Sequence, residues 1–523
     1  MKNIALYIAF TFSVLGSWSM DTLDLHISAV NLQKLESWRS SALKQPIISP
    51  KFKEKVPANV YISNQVCTGE VRLKGDWTDH LDSEKWSLRI KLDSAEFHGM
   101  QRFSIQHPKT RGYLFESIFH QLLAQENILT TRYEFVHVKL NGEYKGIYAL
   151  EEHFDAPLLA NAGKENGPIL KFDETAFWEF QAYYKKFGED IHFEYPMFQE
   201  AEILPFRRKM ISSDSSLWEQ FLLGRNKLHA LRNFEVEKLN EIIDVDLFAR
   251  YYALCALVGK DHGLNWHNQR FYFNPKTELL EPVAYDCWIE LSLAKNYNSG
   301  LVKSGIDTIY FADVYFNAQL FNDTGFKKAF LTYIKQHLKN KKLVNKVKEL
   351  IGQNDSELSL LDAEYNLSKD QLAPYSLAIA QVNKAIEAQQ DLPEFRYISY
   401  NEWKHNHPDQ VWTYKKQFPL KPFNKLDIMA FTKQIKDSTK VISIRNISGS
   451  SFNIYSITSP SGTYPIQALL KYDQKSLELE VSKDALLIEY YPVPENSVIG
   501  KADEIETFRV KVSPFPYYQN WKK

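Results

Sequence analysis

The stretch Phe135-Val-His-Val-Lys-Leu-Asn-Gly-Glu-Tyr-Lys-Gly-Ile-Tyr-Ala-Leu150 places two strand-like segments on either side of the dipeptide Asn141-Gly142. Asn and Gly both accept the left-handed backbone that a two-residue hairpin turn requires, so this dipeptide between alternating segments is a strong hairpin signal. An antiparallel hairpin is therefore predicted at residues 135–150.

The residues before this hairpin continue the β pattern. Residues 23–43 predict one strand and one helix, and apolar and polar side chains then alternate in segments 60–62, 69–75 and 86–92. Such alternation is typical of an antiparallel sheet with one packed face and one face in water. The first part of the chain is therefore expected to be rich in sheet.

The residues after the hairpin change to helical spacing. Apolar side chains recur at this spacing in residues 114–125 and 245–258, and again from Phe326 to about Gln390. A strand at residues 269–273, an Asn-Pro turn and a second strand that ends at Asp286 interrupt the helices. Segments of sheet and of helix in this order predict an α+β fold.

The composition changes again near the carboxyl terminus. From about Lys433, short β-rich segments separated by turn residues follow one another at the spacing of a small sandwich or barrel. We predict a separate, sandwich-like all-β module at residues 433–523. Its ligand, if it binds one, is not indicated by the sequence.

The overall composition limits the classes of partner. The chain has 523 residues, of which 44% are hydrophobic and 24% charged, the balance of a soluble globular protein. The 63 basic and 64 acidic residues nearly cancel, so nothing in the charge indicates a nucleic-acid partner. The three cysteines, Cys67, Cys255 and Cys287, form no CxxC pair and allow at most one disulfide.

The amino terminus has the features of an export signal. Lys2 precedes an apolar stretch from Ile4 to Leu15, and Ser17-Trp18-Ser19 offers small residues for cleavage. We predict a signal peptide at residues 1–19, with an uncleaved anchor as the alternative. The mature chain, without a membrane span, would then be secreted, periplasmic or on the cell surface.

Two acidic residues and an amide occur at chain reversals in the middle region. Asp261 follows the helix of residues 245–258, Asn268 precedes the strand of residues 269–273, and Asp286 ends the return strand. In phosphoryl transfer, one carboxylate accepts the substrate hydroxyl proton while an Asn and another Asp hold the metal ions at the phosphates. Asp and Asn are also common turn residues, so the pattern by itself is weak.

Several segments resemble the CotH kinase family, a group of atypical protein kinases. The resemblance covers roughly Leu23 to Gln390 and lies in five segments: Val71-Arg-Leu-Lys-Gly75, Lys85-Trp-Ser-Leu-Arg-Ile-Lys91, the hairpin with its Glu151-Glu152 end, His267-Asn268 and Val283-Ala-Tyr-Asp286. It implies a kinase-like domain of two lobes at residues 20–432, one a sheet and one helical. It also implies an enzyme that uses ATP with Mg²⁺ or Mn²⁺ to phosphorylate Ser or Thr of a secreted or cell-envelope protein.

The resemblance also implies roles for individual residues. Asp261 would be the catalytic base, and Asn268 and Asp286 the metal ligands. Lys85 would contact the phosphates with Glu152 as its ion-pair partner, although Glu151 competes for that role. Arg111 would contact phosphate or form a structural salt bridge.

Two features depart from the family pattern and keep other functions open. Six residues separate Asp261 from Asn268, more than expected, and Trp288 stands where relatives often have a second Asp. The GxGxxG loop and HRD triplet of ordinary protein kinases are absent, as in this family. One alternative is an inactive structural or adhesive surface protein; another is a hydrolase with zinc or manganese at His262 and His267.

Overall fold

The computed structural model shows an α+β protein. It describes residues 20–62, 65–185, 198, 201–232, 236–258, 262–288, 319–321, 323–367, 428–446, 451–470, 476–493 and 508–516. The predicted signal peptide, residues 1–19, lies outside these ranges.

The first part of the chain forms a closed barrel of seven strands. Apolar side chains alternate inward along the strands, for example Val56, Ala58 and Val60, and build the barrel interior together with one flanking helix. The elements are β1 (Thr22–His26), α1 (Ala29–Ala42), β2 (Val56–Ile62), β3 (Gln65–Leu73), β4 (Leu88–Leu92), β5 (Arg102–Gln106), β7 (Tyr133–Leu140) and β8 (Glu143–Glu152), in the order β1-β2-β3-β4-β5-β8-β7.

The predicted hairpin is present and also closes the barrel. Asn141 and Gly142 both have positive φ, +52° and +83°, as the turn requires. The Asn141 side chain accepts the Ile27 N–H at 2.7 Å and donates to the Ile27 carbonyl at 3.0 Å. Strand β1 thereby joins β7 in a parallel pair, so the region is a closed barrel and not the purely antiparallel sheet expected from the alternation.

Strand β8 is buried on both faces. Ile147 and Ala149 pack into the core of the helical part, while Tyr148 and Leu150 pack into the barrel interior. The outer face of β8 is therefore the surface on which the barrel meets the helices.

The helical part packs around α2, which occupies the predicted residues Leu114–Gln125. Its apolar face contacts a core that includes residues of most of the other helices. These are α3 (Ala156–Asn161), α4 (Thr175–Lys185), α5 (Arg208–Ser213), α6 (Ser215–Arg232), α7 (Val245–Val258), α8 (Thr324–Leu338), α9 (Lys342–Gln353) and α10 (Asp355–Tyr365). Among the described residues, no helix has the length and apolar character needed to cross a membrane.

A second sheet of five strands lies within the helical part. Its strands are β6 (Leu129–Thr130), β9 (Ile169–Phe172), β10 (Ile203–Pro205), β11 (Arg270–Asn274) and β12 (Leu279–Ala284), in the order β10-β9-β11-β12-β6. The antiparallel pair β11–β12 is the predicted hairpin that leads to Asp286.

The carboxy-terminal residues form a third sheet of seven strands. These are β13 (Ile428–Ile435), β14 (Thr439–Asn446), β15 (Ser451–Ser459), β16 (Gly462–Leu470), β17 (Ser476–Ser482), β18 (Leu487–Val493) and β19 (Phe508–Pro516), in the order β16-β15-β18-β19-β13-β14-β17. Strand β13 begins before residue 433, the position at which the sequence pattern places the start of the module.

Candidate active site

The two predicted metal ligands lie at the same end of the β11–β12 hairpin. Arg270 pairs with Val283 in this hairpin. Asn268 lies two residues before Arg270, and Asp286 lies three residues after Val283. The Asn268 amide donates to the His262 carbonyl at 3.1 Å, and His262 Nε2 lies 3.9 Å from Asp286 Oδ2. His262 therefore links the two residues.

The backbone at Asp286 is strained. Its φ is +53°, in the left-handed region that non-glycine residues seldom occupy. Both oxygens of the buried Glu116 carboxylate, on α2, accept backbone N–H groups of the next two residues, Cys287 and Trp288, at 3.0 Å each. These bonds hold the chain in the conformation that turns it at Asp286.

Arg111 lies against Asp286. It ends a 3₁₀ turn at residues 108–111, and its Nη1 is 3.1 Å from Asp286 Oδ1. Burial acts to lower the pKa of the guanidinium, but Asp286 and Glu151 raise it well above its ordinary value, so Arg111 is a permanent cation. Gly112 then turns the chain at φ +65°, where a Cβ would lie 2.6 Å from the Trp288 ring.

A buried ion pair between Lys74 and Glu151 continues this charge network into the barrel. Lys74 follows β3, and its Nζ lies 2.5 Å from Glu151 Oε2 and donates to Gln106 Oε1 at 2.6 Å. Glu151 Oε1 lies 3.8 Å from Arg111 Nε. The exposed fractions of Lys74 and Glu151 are 5% and 1%, so little water screens the pair.

The environment shifts the pKa of both partners. Burial raises the pKa of Glu151, but Lys74 and Arg111 outweigh it, so the net pKa is below the ordinary value. Burial lowers the pKa of Lys74 to about 8, since attraction by Glu151 is opposed by Arg111 and Arg89. Charges thus alternate from Lys74 through Glu151 and Arg111 to Asp286.

Lys85 and Glu152 do not form the ion pair expected between them. Lys85 pairs with Glu364 of α10 and donates to the Ile147 carbonyl at 3.2 Å. Glu152 instead binds the Arg132 guanidinium through both oxygens, at 2.7 and 3.0 Å. Neighbouring residues of a strand point to opposite faces, so Glu151 and Glu152 cannot both face the same lysine.

The sequence reasoning missed Lys74 and left Glu151 as a competing candidate. The glycine that ends the segment Val71-Arg-Leu-Lys-Gly75 could have indicated Lys74. Gly75 adopts φ +108° and redirects the chain just after the lysine. The choice between Glu151 and Glu152 had no signal in the sequence, since β8 is apolar on both faces before the two acids.

Asp261, the predicted catalytic base, lies outside the described residues. Of the two histidines considered as zinc or manganese ligands, His267 is buried and stacks on Phe177 with ring centroids 4.4 Å apart. Burial lowers the pKa of His267 well below its ordinary value. His262 contacts Asp286 and Asn268, as described above.

The donor set at this site fits a divalent cation and a polyanion. Asp286 Oδ1, Glu151 Oε1 and Arg111 Nε are buried polar atoms that lack an aligned hydrogen-bond partner. The Asp286 carboxylate and the Asn268 amide oxygen are the hard ligands that Mg²⁺ prefers. Of two buried cations that match the charge of phosphate groups, Arg111 lies beside Asp286 and Lys74 lies beside Glu151.

The comparison with protein families gives one match. The model described as CotH kinase protein matches residues 71–396, more than half of the chain. This range begins within β3 and includes Lys74, Arg111, Glu151, Asn268 and Asp286. The comparison with curated proteins gives no match.

Proposed function

Because the chain belongs to the CotH kinase family, we propose that it is an exported protein kinase that transfers the γ-phosphoryl group of ATP to Ser or Thr hydroxyls of a secreted or cell-envelope protein. The barrel would be one lobe of a two-lobed, kinase-like domain, and the helices with the five-stranded sheet the other. Export is supported by the signal-like residues 1–19 alone.

One observation carries this proposal: the unbroken series of charges from Lys74 through Glu151 and Arg111 to Asp286. Protein kinases need an ion pair between a lysine and a glutamate, together with an aspartate that binds metal. Here the lysine and glutamate belong to the barrel, and the aspartate follows β12. The glutamate comes from a strand, β8, where ordinary kinases supply it from a helix.

Each residue has a distinct role in this proposal. Glu151 orients the Lys74 ammonium, which contacts the phosphates in place of the predicted Lys85. Asp286 and Asn268 are the metal ligands, and Arg111 binds phosphate oxygens beside them. Mg²⁺ or Mn²⁺, when bound, neutralises charge that develops on the phosphates.

The acceptor hydroxyl needs a base, and Asp261 is proposed for this role. It is the residue before His262 in the sequence, and the imidazole of His262 lies 3.9 Å from Asp286 Oδ2. A carboxylate there would accept the hydroxyl proton as the phosphoryl group is transferred.

The direct test compares phosphate transfer by wild type, Asp286→Ala and Asp93→Ala. Asp93 is exposed and bonds Thr68 in the barrel, so its loss controls for removing one carboxylate. With labelled ATP, Mg²⁺ and a Ser/Thr peptide library, wild type and Asp93→Ala should incorporate phosphate and Asp286→Ala should not. Equal incorporation by all three proteins, or none by wild type, contradicts the proposal.

An inactive adhesive surface protein is the second candidate. Large apolar side chains are exposed on the carboxy-terminal module, namely Tyr464, Leu469 and Leu486. Of these, tyrosine is a residue type enriched at protein-binding surfaces. A thermal shift with ATP and Mg²⁺ separates the two functions, because an adhesive protein without a nucleotide site shows none.

A further inference from the structure

A second group of metal-ligating side chains lies behind Asp286. Glu116 and His120 are one turn apart on α2, and Cys287 follows Asp286 in the loop after β12. One ligand atom from each lies within 4.8 Å of the other two. The exposed fractions are 0%, 3% and 0%, so all three polar groups are shut off from water.

The His120 ring is oriented as metal-binding histidines are. Its Nδ1 lies 2.6 Å from the Thr131 carbonyl, which accepts hydrogen bonds only, so Nδ1 carries a proton. Nε2 is buried and, in the absence of an ion, pairs with Glu116 Oε1 at 3.0 Å. A carbonyl that binds one ring nitrogen and leaves the other for the ion is the usual arrangement around such histidines.

Glu116 is held firmly in place. Each of its oxygens accepts one backbone N–H, from Cys287 and Trp288, and still has a lone pair for an ion. Because the carboxylate is already fixed, binding of an ion would cost little conformational entropy at Glu116, which favours binding.

A second sulfur is close to this group. The thiol of Cys255, which is buried on α7, is within hydrogen-bond reach of the Cys287 thiol. Together the side chains offer one oxygen, one nitrogen and two sulfur atoms. This is a set that suits zinc and excludes magnesium, since soft thiolates select zinc.

We propose that Glu116, His120, Cys287 and Cys255 bind a structural zinc ion. Ligand atoms around tetrahedral zinc lie roughly 3.3 to 3.8 Å apart, given zinc bonds of about 2.0 to 2.3 Å. Glu116, His120 and Cys287 need only small side-chain shifts to reach this geometry, because their ligand atoms lie within 4.8 Å of one another and the oxygen and nitrogen are 3.0 Å apart. Cys255 lies outside this 4.8 Å group and would join it as the fourth ligand from its place beside Cys287. Each thiol, and the Nε2–H of His120 that faces Glu116, gives its proton to solvent as the ion binds.

The ion would join three elements behind the candidate active site: α2, α7 and the loop that follows Asp286. This role does not depend on phosphoryl transfer, so the two proposals can fail separately. The ion is also distinct from the one proposed at Asn268 and Asp286, where the donors are oxygens.

The experiment uses the full chain, purified without a metal-affinity tag and dialysed against metal-free buffer. About one zinc per chain is expected by mass spectrometry of the metal content. Replacement of zinc by Co²⁺ should produce thiolate-to-cobalt charge-transfer absorption. Cys287→Ser and His120→Gln should lose most of the zinc, while Cys67→Ser, a change at a partly exposed cysteine of β3, should keep it.

Two outcomes overturn the proposal. One is a wild-type chain that holds no zinc and shows no charge-transfer absorption with Co²⁺. The other is full zinc content in both Cys287→Ser and His120→Gln. If these variants do not fold, the wild-type cobalt spectrum alone decides. Asp286→Ala should retain zinc whether or not it has lost phosphate transfer.

Discussion

Replacing Lys74 by Met should weaken the binding of ATP with Mg²⁺, and replacing Lys85 should not. Met keeps most of the apolar stem of lysine and removes the ammonium. Lys74 belongs to the charge series that reaches Asp286, whereas Lys85 pairs with Glu364 on α10. The pair of variants therefore distinguishes the lysine found in the structure from the one chosen by sequence.

The expected loss follows from the contact that disappears. A hydrogen bond to a charged group contributes about 1.5–3 kcal/mol, or roughly 10- to 150-fold in affinity. Lys74 is also the nearer of the two cations beside Glu151, so the variant should lose about 3 kcal/mol of stability, the lower end for a broken buried pair. Lys85→Met should change the affinity by less than about threefold, because it removes no group of the site.

Titration calorimetry with ATP and Mg²⁺ gives the affinities, at a temperature where circular dichroism shows that each variant is folded. Lys74→Arg keeps a cation and is the conservative control. Equal losses for Lys74→Met and Lys85→Met would refute the assignment of Lys74. So would a larger loss for Lys85→Met.

Burial lowers the pKa of Lys74 to about 8, so the neutral form of the lysine grows as the pH rises through 8. The affinity for ATP should therefore fall by at most about tenfold per pH unit. The affinity of Lys74→Arg should not change over that range. Gly112→Ala should lower the free energy of unfolding by about 1–3 kcal/mol more than Gly142→Ala in urea titrations. Both glycines have positive φ, but of the two only Gly112 faces the Trp288 ring. Equal losses would show that backbone strain alone causes the effect and would contradict a role for the Trp288 contact. In the same assay on metal-free protein, Glu116→Gln should cost about 3 kcal/mol, because without an ion it breaks a buried pair with His120. Glu143→Gln, in an exposed pair with Lys145, should cost less than about 1 kcal/mol, and similar costs would contradict the role of Glu116.

Local elements were predictable where the signal is carried by neighbouring residues. The Asn141-Gly142 turn, helix α2 at Leu114–Gln125 and the β11–β12 hairpin each depend on side-chain periodicity or turn chemistry within a few residues. The short β segments predicted in the carboxy-terminal module overlap strands for the same reason. Barrel closure was not predictable, because the parallel pairing of β1 with β7 joins residues more than a hundred positions apart.

The candidate site divides in a similar way. Asn268 and Asp286 could be placed at one end of a hairpin from the turn between their strands, and Arg111 could be proposed from the resemblance. The carboxylate that pairs with Lys74 could not be predicted. Strand β8 is buried on both faces, so the alternation of apolar and polar side chains that would separate Glu151 from Glu152 is missing. The proposed zinc ligands could not be predicted from the sequence for another reason. Glu116, His120, Cys255 and Cys287 do not together form a spacing motif of a metal site.

By itself, the sequence determined the α+β class, the family and the turns that carry the acidic and amide side chains, because each depends on short-range patterns or on ordered motifs along the chain. Only the tertiary structure decided that Lys74 pairs with Glu151, that Arg111 contacts Asp286 and that Glu116 anchors the loop after it. Charges buried away from water must be matched by partners from other elements, and which elements meet is a property of packing that no single segment records.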